Sequence, residues 1–287
     1  SLFIGSNSHL RFEEGAVLLA SLELQHYPER PTRFIAVEMT MPMGILNVFE
    51  AANVKISGPG LIEGRGKPFW EKFRYYIEEY ERAGLRWAAD YDARNPRSLV
   101  VQNSQHVEVQ DLTFRNSPFW TVQILYSTQV TARGLTIRNN EDGHGPSSDG
   151  INVDSSTYVL VEDNDIDCND DNLCLKAGRD ADGLRVNRPT EYVVIRNNRT
   201  RQGAGLVTFG SDTSGWIRHV HVDNISSEGT TRGVRFKSAL TRGGGVSDIL
   251  VENIEIVGAP YLFECLLNWN PKFSYCTLPE GISEDQI

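Results

Sequence analysis

The feature of this 287-residue chain that most restricts its fold is a short phrase that keeps returning. Asn53-Val54-Lys55-Ile56 is echoed by His106-Val107-Glu108-Val109, Gln129-Val130-Thr131-Ala132, Tyr158-Val159-Leu160-Val161, Tyr192-Val193-Val194-Ile195, His219-Val220-His221-Val222 and Asp248-Ile249-Leu250-Val251. The first apolar positions of the last six lie 23, 29, 34, 27 and 29 residues apart. Several echoes run on through a turn into a second short strand, as in Asp111-Leu112-Thr113-Phe114 and Gly134-Leu135-Thr136-Ile137. Period-two apolar alternation marks a half-buried strand. A strand phrase that recurs every two to three dozen residues, without intervening helices, describes a solenoid whose turns bury their apolar residues on one another. We therefore expect an all-β, single-domain parallel β-helix over residues 1–287, with longer turns bulging outward as loops. A β-sandwich also supplies many short strands, but hairpin signals such as Asn-Gly are scarce here. Early segments such as Val17-Leu18-Leu19 and Phe34-Ile35-Ala36-Val37 read as further short strands.

One stretch breaks the pattern. Across residues 67–97, Phe69, Phe73, Ile77 and Tyr80 fall on one face of a helix. Pro68 and Gly84 suit its two ends, predicting a helix near 68–84. The expectation is an insertion that covers an apolar face of the solenoid; walling off one end of a substrate cleft is the alternative. From about residue 264 to 287 the repeat gives way to a segment rich in aromatics, Pro and Cys, read as loop. Since the first residues already read as strand and turn, the chain is expected to begin inside a longer precursor, and truncation is expected at the other end too.

Lysine and arginine number 28 against 38 acidic residues, a net charge of −10, which argues against a nucleic-acid binder. No run approaches the roughly 18 apolar residues of a membrane span. Cys168, Cys174, Cys265 and Cys276 have no metal-type spacing. Cys265 and Cys276 are close enough in sequence to close a small loop, and Cys174, between two leucines, reads as a core residue. No metal or cofactor is expected.

The chemistry concentrates in residues 147–179, where acidic side chains sit inside alternating apolar runs. Asp149, Asp170 and Asp171 fall where strands end or bend, and stacked turns bring such positions together. Asp in a turn is ordinarily a turn former, but Asp170-Asp171 leads directly into the strand-like Asn172-Leu173-Cys174-Leu175-Lys176. Grouped carboxylates divide into an acid and ionised partners, as glycosidic bond hydrolysis requires. In Gly233-Val234-Arg235-Phe236-Lys237, alternation puts Arg235 and Lys237 on one outer face. Such a pair can grip a substrate carboxylate, the guanidinium through two hydrogen bonds and the ammonium as a point charge. Arg179 and Arg185, in the loop after the Asp-Asp strand, are further candidates for an anionic sugar. Lys176, five residues past Asp171, could lie near these groups but reads first as an ordinary solvent-facing lysine. In the segment 210–215, Gly and Ser would let backbone approach a ligand closely, the simpler reading being a tight solenoid corner.

These motifs resemble glycoside hydrolase family 28, the polygalacturonases and rhamnogalacturonases. The family shows Asn-Thr-Asp-Gly, then Asp-Asp about twenty residues on, then Gly-His-Gly, then Arg-Ile-Lys. Here Ser148-Asp149-Gly150, Asp170-Asp171 and Arg235-Phe236-Lys237 follow in that order. The third motif departs, reading Gly203-Ala204-Gly205 without its histidine; Gly143-His144-Gly145 lies out of order, ahead of Asp149. The resemblance implies a right-handed, pectin-lyase-like β-helix and inverting hydrolysis of α-linked galacturonic acid in pectin. It implies Asp170 as general acid, Asp149 and Asp171 as the pair that activates water, and Arg235 and Lys237 as ligands of the galacturonate beside the cut. It also implies a monomer, secreted or periplasmic, whose partner is a pectic polysaccharide, with neither nucleic acid nor membrane. A calcium-dependent β-helix lyase and a non-catalytic sugar-binding solenoid are the rival readings.

Overall fold

The structure, a computed structural model, describes residues 1–140, 145 and 147–269. Its strands are stacked in parallel, as the repeat predicts. Val54 pairs with Val107, Val107 with Val130, Val130 with Val159, Val159 with Val193, Val193 with Val220 and Val220 with Ile249, so every echo lies one coil above the last. The second strands stack likewise, Phe114 on Ile137 and Ile137 on Ile166. The fold is an all-β parallel β-helix. One sheet carries the first strand of each coil, from Leu2–Ile4 through Leu46–Phe49, Leu99–Gln102, Val122–Leu125, Ile151–Asp154, Asp171–Lys176, Gly205–Phe209 and Arg232–Lys237 to Tyr261–Leu266.

A single apolar cluster runs up the interior through Val54, Val107, Val130, Val159, Val193 and Val220. Burying each such side chain contributes about 1.5–3 kcal/mol. The coil corners are built from the residue that opens each echo. Asn53, His106, Gln129, Tyr158, Tyr192, His219 and Asp248 all have φ between 52° and 59°. That left-handed turn is unfavourable for a bulky side chain. Stacking offsets part of its cost: the Tyr158, Tyr192 and His219 rings lie face to face at 5.1 and 4.9 Å. Inside the turns, polar side chains bridge successive coils. Ser127 Oγ accepts from the Ser104 N–H, Ser156 Oγ from the Ser127 N–H, and Asn198 Oδ1 from Asn164 Nδ2.

The structure revises three expectations outside the repeat. Phe34-Ile35-Ala36-Val37 is not a strand but the tip of an antiparallel hairpin, Glu29–Phe34 with Val37–Pro42. Ile35 and Ala36 both take positive φ, 43° and 65°, the turn that matches the twist of a tight hairpin. The insertion holds two helices rather than one, α1 (Lys67–Arg82) and α2 (Arg86–Asp92). Phe69, Trp70 and Phe73 are its buried face, and Gly84 marks the break between the helices. The expected C-terminal loop begins later than 264, because Glu264–Leu266 complete a paired strand. Cys276 and the proposed Cys265–Cys276 loop lie outside the described residues, as does His144.

The hairpin is fastened to the first sheet by buried charge. Arg33 Nη1 lies 2.7 Å from Asp154 Oδ1, and neither side chain is exposed. Its apolar side packs Phe34 on Phe119 with ring centroids 5.0 Å apart, in a cluster with Ile35, Met41, Tyr91 and Trp120.

Candidate active site

Because strand residues alternate, the first sheet sends Leu173, Leu175, Val234 and Phe236 inward. Cys174, Lys176, Arg235 and Lys237 are then left on its outer face. A cavity of about 490 Å³ lies over that face, in the size range of small-ligand sites. Asp149, Asp170, Asp171, Lys176, Arg179, Arg235 and Lys237 all line it. Of the carboxylates and cations proposed for the site from the sequence, Arg185 lies elsewhere. It sits on α3 (Asp180–Val186), largely exposed, paired with Glu38 at 2.5 Å and Asp182 at 2.7 Å. A helix in place of the expected loop explains the split: Arg179 precedes it and turns into the cleft, whereas Arg185 lies in its last turn.

Asp149 and Asp171 are brought side by side by strand register. Ile151 pairs with Leu173, and the Gly150 N–H donates to the Asp171 carbonyl at 3.0 Å. Both carboxyls are almost fully buried, yet their electrostatics diverge. Burial alone would raise Asp171, but Lys237 Nζ at 2.8 Å and Arg235 Nη1 at 3.0 Å outweigh it and hold the carboxyl well below the usual range. Asp149 is pushed well above 3.8, first by burial and then by the charge of Asp170. A carboxylate stripped of water with little compensation is a stronger base than usual. One oxygen of Asp149, Oδ1, has no hydrogen-bond partner although buried beside the cavity. Asp170 lines the cavity half-buried, with Oδ1 accepting the Asp171 N–H at 2.9 Å.

The cation pair behaves differently from an open surface. Arg235 and Lys237 are buried, held by Asp171, and Arg235 also donates through Nε to Glu264 at 2.8 Å. The Trp269 ring covers Lys237 at 4.8 Å. Gly205 is needed for this packing. A Cβ there would lie 2.7 Å from both Asp171 Oδ1 and Arg235 Cδ. Gly205→Ala is expected to push that ion pair apart and to cost about 1–3 kcal/mol of stability, as overpacking does, read as a lower urea midpoint. Ala204, in the place of the family histidine, lines the cleft, and its N–H donates to the Asp170 carbonyl.

Two sequence readings are corrected here. Cys174 is buried as expected, but on the outer face of the sheet and not in the interior cluster, with Sγ 4.0 Å from Asp171 Oδ2. Lys176 is not solvent-facing but buried, its ammonium 3.8 Å from Asp149 and 3.7 Å from Asp212. The Leu173-Cys174-Leu175-Lys176 alternation carried the signal for both. Asp212 receives no role for its side chain from the sequence, since the segment 210–215 reads through its glycines and serines as a corner or a close backbone approach. It is buried and accepts from Arg179 Nε at 3.0 Å.

The depressed carboxyls set an acid limit on stability. Asp212, like Asp171, is held below the usual range: burial opposes this, and Arg179, Lys176 and Arg242 overcome it. Groups with a lowered folded value stabilise the fold above the ordinary aspartate value of 3.8 and lose that contribution as pH falls below it. Asp149, raised, acts oppositely: its contribution is present below 3.8 and is lost as pH rises through its folded value. The urea midpoint is therefore expected to fall steeply below about pH 4, and Asp171→Asn to flatten that fall.

Side chains border the cavity toward both ends of the solenoid. Ile35 of the hairpin, Phe73 and Ile77 of α1, and Arg86 and Asp90 of α2 close it toward the early coils, while Arg232 and Leu266 border it toward the later ones. Comparison with known proteins agrees with this architecture. Residues 31–261 match the model of glycosyl hydrolases family 28. A probable polygalacturonase of Vitis vinifera is 28% identical over 92% of this chain and 52% of its own length. An exo-poly-alpha-D-galacturonosidase of Dickeya chrysanthemi is 23% identical over 88% of this chain and 47% of its own length. The chain thus spans about half the length of these relatives. The family 28 exopolygalacturonase of Yersinia enterocolitica superposes with a TM-score of 0.82 at 23% identity, over 98% of this chain and 55% of that one, which is a likeness of fold. With the family match extending across four-fifths of the sequence and three of its motifs lining one cavity, this chain belongs to glycosyl hydrolases family 28.

Proposed function

We propose that this cleft hydrolyses α-linked galacturonic acid in pectin by single displacement with inversion. The observation that carries the reading is the gathering of Asp149, Asp170 and Asp171 in one cavity with Arg235 and Lys237. Asp170, half-buried in the cavity lining, protonates the departing glycosidic oxygen. Asp149 takes a proton from the attacking water, which Asp171, held ionised, helps to orient. Arg235, Lys237 and Arg179 supply positive charge for the substrate carboxylates. The walls of the hairpin and of α1 and α2 favour attack from a chain end over attack in the middle of the polymer. A polymeric substrate supports a secreted or periplasmic enzyme, and the residues given roles here all come from one chain, in keeping with a monomer.

The test is product analysis by mass spectrometry on polygalacturonate and on rhamnogalacturonan in parallel. Saturated products with new reducing ends are expected, with monomer or dimer dominating from the earliest time points. Unsaturated, ultraviolet-absorbing products lost on adding EDTA would instead identify a lyase. Binding of oligogalacturonate without any product would identify a sugar-binding solenoid.

A further inference from the structure

Lys176 ends the strand Asp171–Lys176 on the same outer face as the site, and its ammonium lies between two buried carboxylates. The two are unequally supplied. Asp212 has Arg179 Nε at 3.0 Å and Arg242 Nε at 3.7 Å in addition to Lys176. For Asp149, Lys176 is the one ion-pair partner within 4 Å among the described residues. The lysine charge acts on both, but its removal would leave Asp212 with two guanidiniums and Asp149 with no ion-pair partner within 4 Å among the described residues. The side chain has little freedom to leave, since its ammonium also sits 5.0 Å over the Trp120 ring and is buried. Around it stand Asp171 and Cys174 on its own strand, Asp154 one coil below, Asp170 and Lys237 at the cavity, and Asp212 at the corner. Most of these are acidic, so without Lys176 the neighbourhood of Asp149 is dominated by negative charge.

We propose that Lys176 is a positioning residue of the active site: its ammonium keeps Asp149 a carboxylate, engaging Oδ2 and leaving Oδ1 free for the attacking water. The free Oδ1 is the second observation that supports this division, because a buried carboxylate oxygen ordinarily has a donor. The direction of the Asp149 shift agrees, since Lys176 is the strongest opposing influence on a carboxyl that burial and Asp170 push up. The inference rests on the hydrolytic reading above only for its kinetic consequence.

The test separates the two. The Asp149 carboxyl is titrated by ¹³C NMR, assigned through Asp149→Asn, in the parent, Lys176→Met and Lys176→Arg. With Lys176→Met the midpoint is expected to rise by about 1 to 3 pH units, the usual effect of one opposite charge at this range; with Lys176→Arg it stays near the parent value. The acid limb of kcat/KM on polygalacturonate should move by the same amount. An unchanged midpoint in Lys176→Met overturns the proposal, as does a loss confined to KM with no movement of the limb, which would make Lys176 a substrate ligand. If Lys176→Met does not fold, Lys176→Gln serves in its place. If the parent hydrolyses nothing, the hydrolytic reading falls, while the titration still decides the role of the lysine.

Discussion

Asp170→Asn is expected to lower kcat on polygalacturonate by about 10² to 10⁴, the usual worth of general acid assistance, without loss of fold. The physical case is positional. Asp149 and Asp171 are nearly fully buried, one pushed up by burial and the other pinned by Arg235 and Lys237. Asp170 is the half-buried member of the three and lines the cavity, the accessibility that the proposed acid role requires. Its side chain accepts one backbone N–H, from Asp171, which an amide oxygen can also do, so the isosteric variant keeps the local turn. Steady-state kinetics with far-ultraviolet circular dichroism as the folding check decides it. Retention of most activity would remove Asp170 from the acid role. A second signature follows from charge: Asp170 is the main like charge acting on Asp149, so the variant should also ease the ionisation of Asp149.

Arg33→Ala is expected to cost about 3–5 kcal/mol of stability, the range for removing one partner of a buried ion pair. Arg33 and Asp154 are both fully buried at 2.7 Å, and Arg33 also donates to Ser155 Oγ at 2.6 Å. Without the guanidinium, Asp154 is left charged in a dry environment that already raises its pKa, chiefly through burial. The loss should shrink as pH is lowered toward protonation of Asp154, and replacing both partners by apolar residues of similar volume should recover much of it. Urea unfolding of the single and double variants at two pH values measures this. A small loss that does not vary with pH would mean that the pair contributes little. The variant also reaches the cleft, because the hairpin that Arg33 fastens carries Ile35, one of the wall residues.

How much could be read in advance follows from which interactions are local. The coil repeat was legible because every coil uses the same phrase, and stacking demands one apolar residue per position per coil. All five echo intervals, unequal as they are, resolve into direct pairing because the excess length is absorbed in turns. The hairpin was hidden for the opposite reason. Its turn is made by Ile35 and Ala36 at positive φ, where neither glycine nor asparagine announces it, and tertiary packing on Phe119 and Tyr91 imposes the conformation. The separation of Arg179 from Arg185 was hidden as well, since it depends on a short helix that the loop-like composition of 178–189 did not suggest.

The sequence by itself determined the parallel β-helix and the order of its acidic and basic motifs, because alternation and repeat length fix which residues point outward and which coil each occupies. It could not determine how charge is shared once those residues meet. That Asp171 is held as a carboxylate by Arg235 and Lys237, that Lys176 and Asp212 enter the site, and that α1, α2 and the hairpin border the cleft are decided by the tertiary structure. Electrostatics in a buried cavity depends on distances between residues far apart in the chain and on how much water each has lost, and neither quantity is carried by any one stretch of sequence.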